Sequence, residues 1–261
     1  MSVLRVAIVQ HDIVWEDAAA TCASLAPRVA QAAAAGADLV VLTEMFSTGF
    51  SMNTAVTAEP SDGVSATWMR EQAAAHGVWL AGSVPTLPAG ASLPVNRLNL
   101  VARDGSVAAH YDKIHTFTHA GESDHFDAGT SSVTVDVEGV RVTLAICYDL
   151  RFADQFWAAA PDTDCYLVVA NWPAARREHW QSLVRARAIE NQAWVIAANR
   201  VGKGGHPGDA AALLHVGDSA IVDPLGEVVA SASRDEALLV ADVDSARATL
   251  VRATLPFHAD R

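Results

Sequence analysis

Apolar positions fall into two rhythms along the chain. Short unbroken runs of strand length, "LRVAIVQ", "DLVVLTE" and "VWLAGSV", are spaced apart by longer stretches in which apolar residues recur at helical intervals. "EDAAATCASLAPRVAQAAAAGA" is such a stretch and stops near Gly36. "SDGVSATWMREQAAAHG" is another, with Ser61 or Asp62 placed to cap it and a glycine to close it. Helices set between buried strands predict an α/β layer architecture.

After this the rhythm tightens. "VNRLNLVARDGSVAAHYDK" reads as two strands joined at "RDGS", and "SVTVDVEGVRVTLAIC" as a second hairpin turning at Glu138 and Gly139. A short helix, "ADQFWAAAPD", precedes the strand "CYLVVANW". The long amphipathic helix "RREHWQSLVRARAIENQ" precedes the strand "AWVIAANR". "VGKGGHPGDAA" reads as a glycine-rich loop, and "LLHVGDSAIVDPLGEVVASAS" and "EALLVADVD" as further strands. Hairpins among crossovers make the sheets mixed. The number of strands predicts a four-layer α-β-β-α sandwich of two mixed β-sheets. Residues 1–261 are expected to form one domain, with the segment from about Ser245 as a tail packed on the body or on a partner.

Charge narrows the partners. Thirty acids against 18 Lys and Arg leave a net charge of −12, which repels phosphate backbones and anionic lipid. Neither nucleic acid nor membrane is expected as a partner. A local arginine or lysine can still hold a small anion. Three cysteines, Cys22, Cys147 and Cys165, make no disulfide framework, and the opening "MSVLRVAIVQHD" lacks the regions of a signal peptide. A cytoplasmic location is expected.

Candidate chemistry sits at strand ends, where α/β sheets place their sites. Cys22 on a helix and Cys165 at the start of a buried strand read as small buried hydrophobes. Cys147 differs, because it closes the apolar run of "VTLAICYDLRF" just where the chain turns polar. A thiol needs an activator at neutral pH. Glu44, at the end of "ADLVVLTEMFSTGF", is a candidate base, and Lys113 in "HYDKIHTF" a candidate oxyanion stabiliser. Each residue alone reads more simply as a turn or surface charge. Together at three strand ends they form a hydrolytic set.

In this order the segments "LTEMFSTGFS", "YDKIHTF" and "ICYDLRF" resemble the three motifs of the carbon–nitrogen hydrolases of the nitrilase superfamily. The likeness extends through "VVANWP", "RARAIENQAWVIAANRVG" and "HVGDSAIVDPLGEVV", and "EMFSTGFSMN" with "NWPAARREHW" is most similar to the ω-amidase branch. The resemblance implies Cys147 as nucleophile, Glu44 as general base and later acid, and Lys113 as oxyanion stabiliser. It implies the Tyr148 N–H as second oxyanion donor and Glu122, in "GESDHFDAG", as a further acid. The implied reaction removes ammonia from the terminal amide of 2-oxoglutaramate or 2-oxosuccinamate. A nitrilase, an N-carbamoyl amidohydrolase, a deaminated glutathione amidase and a non-catalytic thiol sensor stay open. The resemblance also implies a homodimer or larger homo-oligomer. Two positions depart from the family's pattern: Thr43 stands where proline is usual, and "LRFADQ" lacks a proline–glutamate pair after its phenylalanine.

Arg176 is the candidate for a substrate carboxylate, with Trp172 and Phe117 as pocket walls. Arg151 is expected to brace the site through an ion pair. No metal or cofactor is expected: His115, His119 and His125 lack a zinc-like arrangement, "VGKGGHPG" lacks the Walker spacing, and no G-x-S-x-G elbow occurs.

Overall fold

A computed structural model describes residues 2–260. Two sheets carry the chain. The first has strand order β13-β1-β2-β3-β4-β5, formed by β1 (Val3–Gln10), β2 (Leu39–Val41), β3 (Trp79–Thr86), β4 (Val95–Val101), β5 (Val107–Asp112) and β13 (Ala237–Asp244). The second has order β10-β11-β9-β8-β7-β6, with β12 paired to β11. Its strands are β6 (Thr134–Val137), β7 (Val140–Ile146), β8 (Cys165–Ala170), β9 (Trp194–Asn199), β10 (Val201–Gly204), β11 (Leu213–Val222) and β12 (Val228–Ser233). Both sheets are mixed. Strands β1, β2 and β3 run parallel, as do β7, β8 and β9, and the remaining pairings are antiparallel.

Strand periodicity of two sorts the side chains between layers. Leu4, Val6 and Ile8 of β1 meet Val142, Leu144 and Ile146 of β7 in a core shared by the two sheets. The alternate residues Ala7 and Val9 face the other way, onto α1 (Ala18–Ala34) and α3 (Val64–His76). On the far side, Ala145, Tyr166, Val168 and Val195 pack against α5 (Ala153–Ala159) and α6 (Arg177–Asn191). The result is the four-layer α-β-β-α sandwich that the strand and helix pattern predicts. Two single-turn helices, α2 (Thr54–Thr57) and α4 (Glu122–His125), lie in loops.

Two local expectations are corrected. Neither Ser61 nor Asp62 caps α3. Its N-cap is Gly63, and the Glu59 carboxylate instead accepts from the N–H groups of Ser65 and Ala66. The start of the glycine-rich segment is strand β10, because Val201–Gly204 pairs with β11. The segment after Asp244 opens a helix, α7 (Ser245–Thr254), capped by the Asp244 side chain. It lies on the body of the protein: Ala248 joins the shared core, and Arg252 donates to the carbonyls of Thr163 and Asn191.

Candidate active site

Glu44, Lys113 and Cys147 each follow the carboxyl end of a strand, β2, β5 and β7 respectively. The first two come from one sheet and the third from the other. All three line one open-mouthed cavity of about 610 Å³. Lys113 is fully buried, and its Nζ donates to Glu44 Oε1 at 2.9 Å and to Glu122 Oε2 and Oε1 at 2.8 and 3.0 Å. Burial works against the ammonium, but the charges of Glu122, Glu44 and Cys147 override it and raise the lysine's pKa. Lys113 is therefore a fixed cation beneath the cavity.

Glu44 is held from several sides. Asn96 Nδ2 donates to its Oε1 at 2.9 Å, the Asn171 N–H to its Oε2 at 2.8 Å, and Asn171 Nδ2 to its carbonyl. Its neighbour Thr43 bonds to buried His11: the histidine Nδ1–H donates to the Asp12 carbonyl at 2.8 Å, so Nε2, 3.1 Å from Thr43 Oγ1, accepts. Thr43 thus fills the place of the usual proline with a hydrogen bond that steadies the base. Glu122 is also buried. Its Oε2 accepts from the Phe117 N–H at 2.6 Å, and Asn96 Nδ2 reaches its Oε1 at 3.3 Å. Burial, and then the charge of Glu44, raise the Glu122 pKa against the pull of Lys113.

Cys147 opens a 3-10 turn, Cys147–Arg151, with φ at 45°. A non-glycine residue in this region is strained, and such strain concentrates at functional sites. The turn aims the partly exposed side chain into the cavity. Glu44, Lys113 and Asn171 are the groups that act on the thiol electrostatically. Burial, then the charge of Glu44, push its pKa well above the ordinary value, while Lys113 and Asn171 pull it back. The resting sulfur is a protonated thiol beside a base. The Tyr148 N–H lies in the first residues of the turn, where N–H groups have no acceptor within the turn itself. Cys22 and Cys165 are buried in the apolar layers, and burial pushes Cys22 up to about 12 and raises Cys165 as well.

The pocket walls include Trp172, Phe117 and Arg176. Trp172 is fixed by its Nε1–H to the Arg176 carbonyl at 2.9 Å and its backbone N–H to Asn199 Oδ1 at 2.7 Å. The Arg176 guanidinium lies over Phe117, 5.3 Å from the ring centre. Arg151 corrects an expectation: it makes no ion pair among the described residues. Its guanidinium stacks on Trp172 at 4.8 Å and donates to His179 Nδ1 at 3.1 Å.

Several site residues lie outside the sequence reading. Asn96 and Asn171 donate to the Glu44 carboxylate, and Trp15, Phe50 and His215 line the cavity. Burial, then the charge of Arg200, lower the His215 pKa to about 3, so the ring is neutral. Asp149, fully buried, ties the nucleophile turn to the lysine segment. It accepts from the Ile146 N–H, Tyr111 Oη and the N–H and Nδ1 of His115. Gln155, just past the Ala153–Asp154 pair that stands in place of the usual proline–glutamate, donates to the same tyrosine at 3.0 Å. Among the described residues, no group of three or more His, Cys, Asp or Glu is placed to hold a metal ion.

Known proteins resemble this chain in sequence and in fold. An ω-amidase, YafV of Yersinia enterocolitica, is 42% identical over 244 residues, covering 91% of this chain and 88% of its own. A 2-oxoglutaramate amidase of Bacillus subtilis is 34% identical, covering 86% and 85%. Among solved structures, XC1258 of Xanthomonas campestris superposes with a TM-score of 0.92 at 35% identity, covering 100% of this chain and 98% of that one. It is a CN-hydrolase superfamily protein with an arsenic adduct in its active site. The carbon-nitrogen hydrolase family model matches residues 5–253, and the chain belongs to that family, the hydrolases of carbon–nitrogen bonds.

Proposed function

We propose that the protein is an ω-amidase that cleaves the terminal amide of a small carboxylated substrate, 2-oxoglutaramate or 2-oxosuccinamate, through a cysteine acyl-enzyme. The observation that carries this reading is the buried ammonium of Lys113 held between Glu44 and Glu122, in the cavity that the Cys147 thiol also lines. The likeness to an ω-amidase and a 2-oxoglutaramate amidase supports the choice of substrate.

The amide carbonyl enters between Cys147 and Lys113. Glu44 takes the thiol proton as sulfur attacks the carbonyl carbon. The oxygen gains the electron pair and rests on the Lys113 ammonium and the Tyr148 N–H, each good donor contributing about 3–4 kcal/mol in related acyl transfers. Collapse of the tetrahedral intermediate breaks the carbon–nitrogen bond, and Glu44 returns the proton so that ammonia leaves. Water then attacks the thioester with Glu44 again as base, giving the acid and the free thiol. Glu122 keeps Lys113 oriented.

Cys147→Ala is expected to abolish ammonia release from 2-oxoglutaramate. Mass spectrometry of the wild-type protein quenched during turnover is expected to show the acyl adduct on Cys147. Full activity in the alanine variant ends this scheme. A cytoplasmic setting, where thiols stay reduced, fits three cysteines that are all free.

A further inference from the structure

Arg70 and Arg185 donate to backbone carbonyls, and several other arginines meet acids, as Arg97 meets Asp112, Arg177 meets Asp218 and Arg247 meets Asp223. The two arginines that line the active cavity do not. Neither Arg151 nor Arg176 has a carboxylate within ion-pair distance among the described residues, although the chain carries a net charge of −12. In so acidic a protein, two half-buried guanidiniums left uncompensated at one cavity mark a place for an external anion.

The two differ in how firmly they are held. Arg151 is fixed from two directions, by the face of Trp172 at 4.8 Å and by His179 Nδ1 at 3.1 Å. Arginine only donates, so His179 receives that bond as a neutral ring and supplies no negative charge. The stacking partner Trp172 is itself locked by two hydrogen bonds. Arg151 also closes the same short turn that Cys147 opens, so the guanidinium and the sulfur are related through one rigid piece of backbone. Arg176 rests on Phe117 alone. A cation held in place before the ligand arrives binds with less entropic cost.

The charges around Lys113 set the direction. Glu44 and Glu122 lie against it, so an anion there meets two acids for one ammonium. A carboxylated amide therefore enters with its amide toward Cys147 and its carboxylate toward the arginines. Resting on the amidase reading above, we infer that Arg151 is the principal ligand of the substrate's far carboxylate, with Arg176 flanking it. Arg151 thereby selects acids carrying an ω-amide over uncharged amides.

The test compares Arg151→Met with wild type on succinamate and on butyramide, an uncharged amide of the same chain length, with succinate binding measured by calorimetry. Methionine keeps an apolar stem on Trp172 and removes the charge. Succinate affinity and kcat/KM for succinamate are expected to fall about 10- to 150-fold, as for loss of a hydrogen bond to a charged group, while kcat/KM for butyramide falls by much less. Unchanged succinate affinity, or an equal fall on both amides, overturns the assignment. So does a carboxylate preference that vanishes in Arg176→Met but survives in Arg151→Met. A wild type that releases ammonia from neither amide, yet loses succinate binding in Arg151→Met, overturns the amidase reading and leaves the subsite standing. Where Arg151→Met does not fold, Arg151→Lys takes its place. It keeps the charge but loses the planar fork, so succinate affinity still falls; unchanged affinity overturns the assignment.

Discussion

Asp149 shows how much of this site depends on a residue that touches no substrate. Its two oxygens take four hydrogen bonds, from the strand that carries the nucleophile, from Tyr111 and from His115 two residues past the lysine. Replacing it by alanine leaves those buried donors without an acceptor. Asp149→Ala is expected to cost about 3–5 kcal/mol of stability in urea denaturation, the range for removing one member of a buried charged network. Asp149→Asn keeps one acceptor oxygen and sets an amide N–H₂ against the remaining donors, at a cost of about 1–3 kcal/mol. In both variants kcat is expected to fall more than KM rises, because the thiol and the ammonium lose their common brace. The acid, the lysine and the thiol were legible in the sequence because each ends an apolar run. Asp149 stands two residues after the nucleophile, but nothing local shows that its partners are Tyr111 and His115. Asn171 is harder still, since it meets Glu44 across 127 positions of chain.

At the scale of elements, the hairpins were legible because their turns have a mechanism. Glu138 and Gly139 both adopt positive φ, at 52° and 83°, which is the geometry of a two-residue turn between β6 and β7. The cap of α3 was not legible, because Glu59 reaches it from outside the helix. Strand β10 was hidden by its glycines: backbone pairing with β11, not side-chain pattern, makes it a strand. One loop glycine bears directly on the lysine. Gly129 donates its N–H to the Lys113 carbonyl at 2.8 Å, and a Cβ built on it would lie 2.0 Å from the Asp112 carbonyl oxygen. Gly129→Ala is expected to displace the end of β5, costing about 1–3 kcal/mol by overpacking and lowering kcat with it. Thermal melts and ammonia-release assays read both effects. Gly90→Ala meets no atom within 4 Å but, at φ 82°, strains its own turn; it is expected to lower the melting temperature while leaving kcat alone.

For the molecule as a whole, two buried histidines tie stability to pH. Burial, opposed by the bond to Asp12 and aided by the charges of Arg200 and Arg28, lowers His11 from 6.5 to about 4. His215 is lowered from 6.5 to about 3. Both are neutral in the fold and protonate more readily in the unfolded chain. Their stabilisation is therefore complete above pH 6.5 and is lost as pH falls toward 4 for His11 and 3 for His215. For His11 the full loss is about 3 kcal/mol. Melting temperature is expected to drop through this window, and His11→Gln to flatten the drop; an unchanged slope in that variant would refute the assignment to His11. The four-layer order was legible at this scale because strand and helix periods sort side chains into layers, whereas the docking of α7 on the body depends on distant carbonyls at Thr163 and Asn191. The division of the site between the sheets has a last consequence. Glu44 and Lys113 ride on one slab and the Cys147 sulfur on the other, so in the proposed mechanism no half of the protein carries a working centre. Any partly folded form in which the slabs have not yet mated holds an inert, unassisted thiol, and hydrolysis begins only once the two halves have closed on each other.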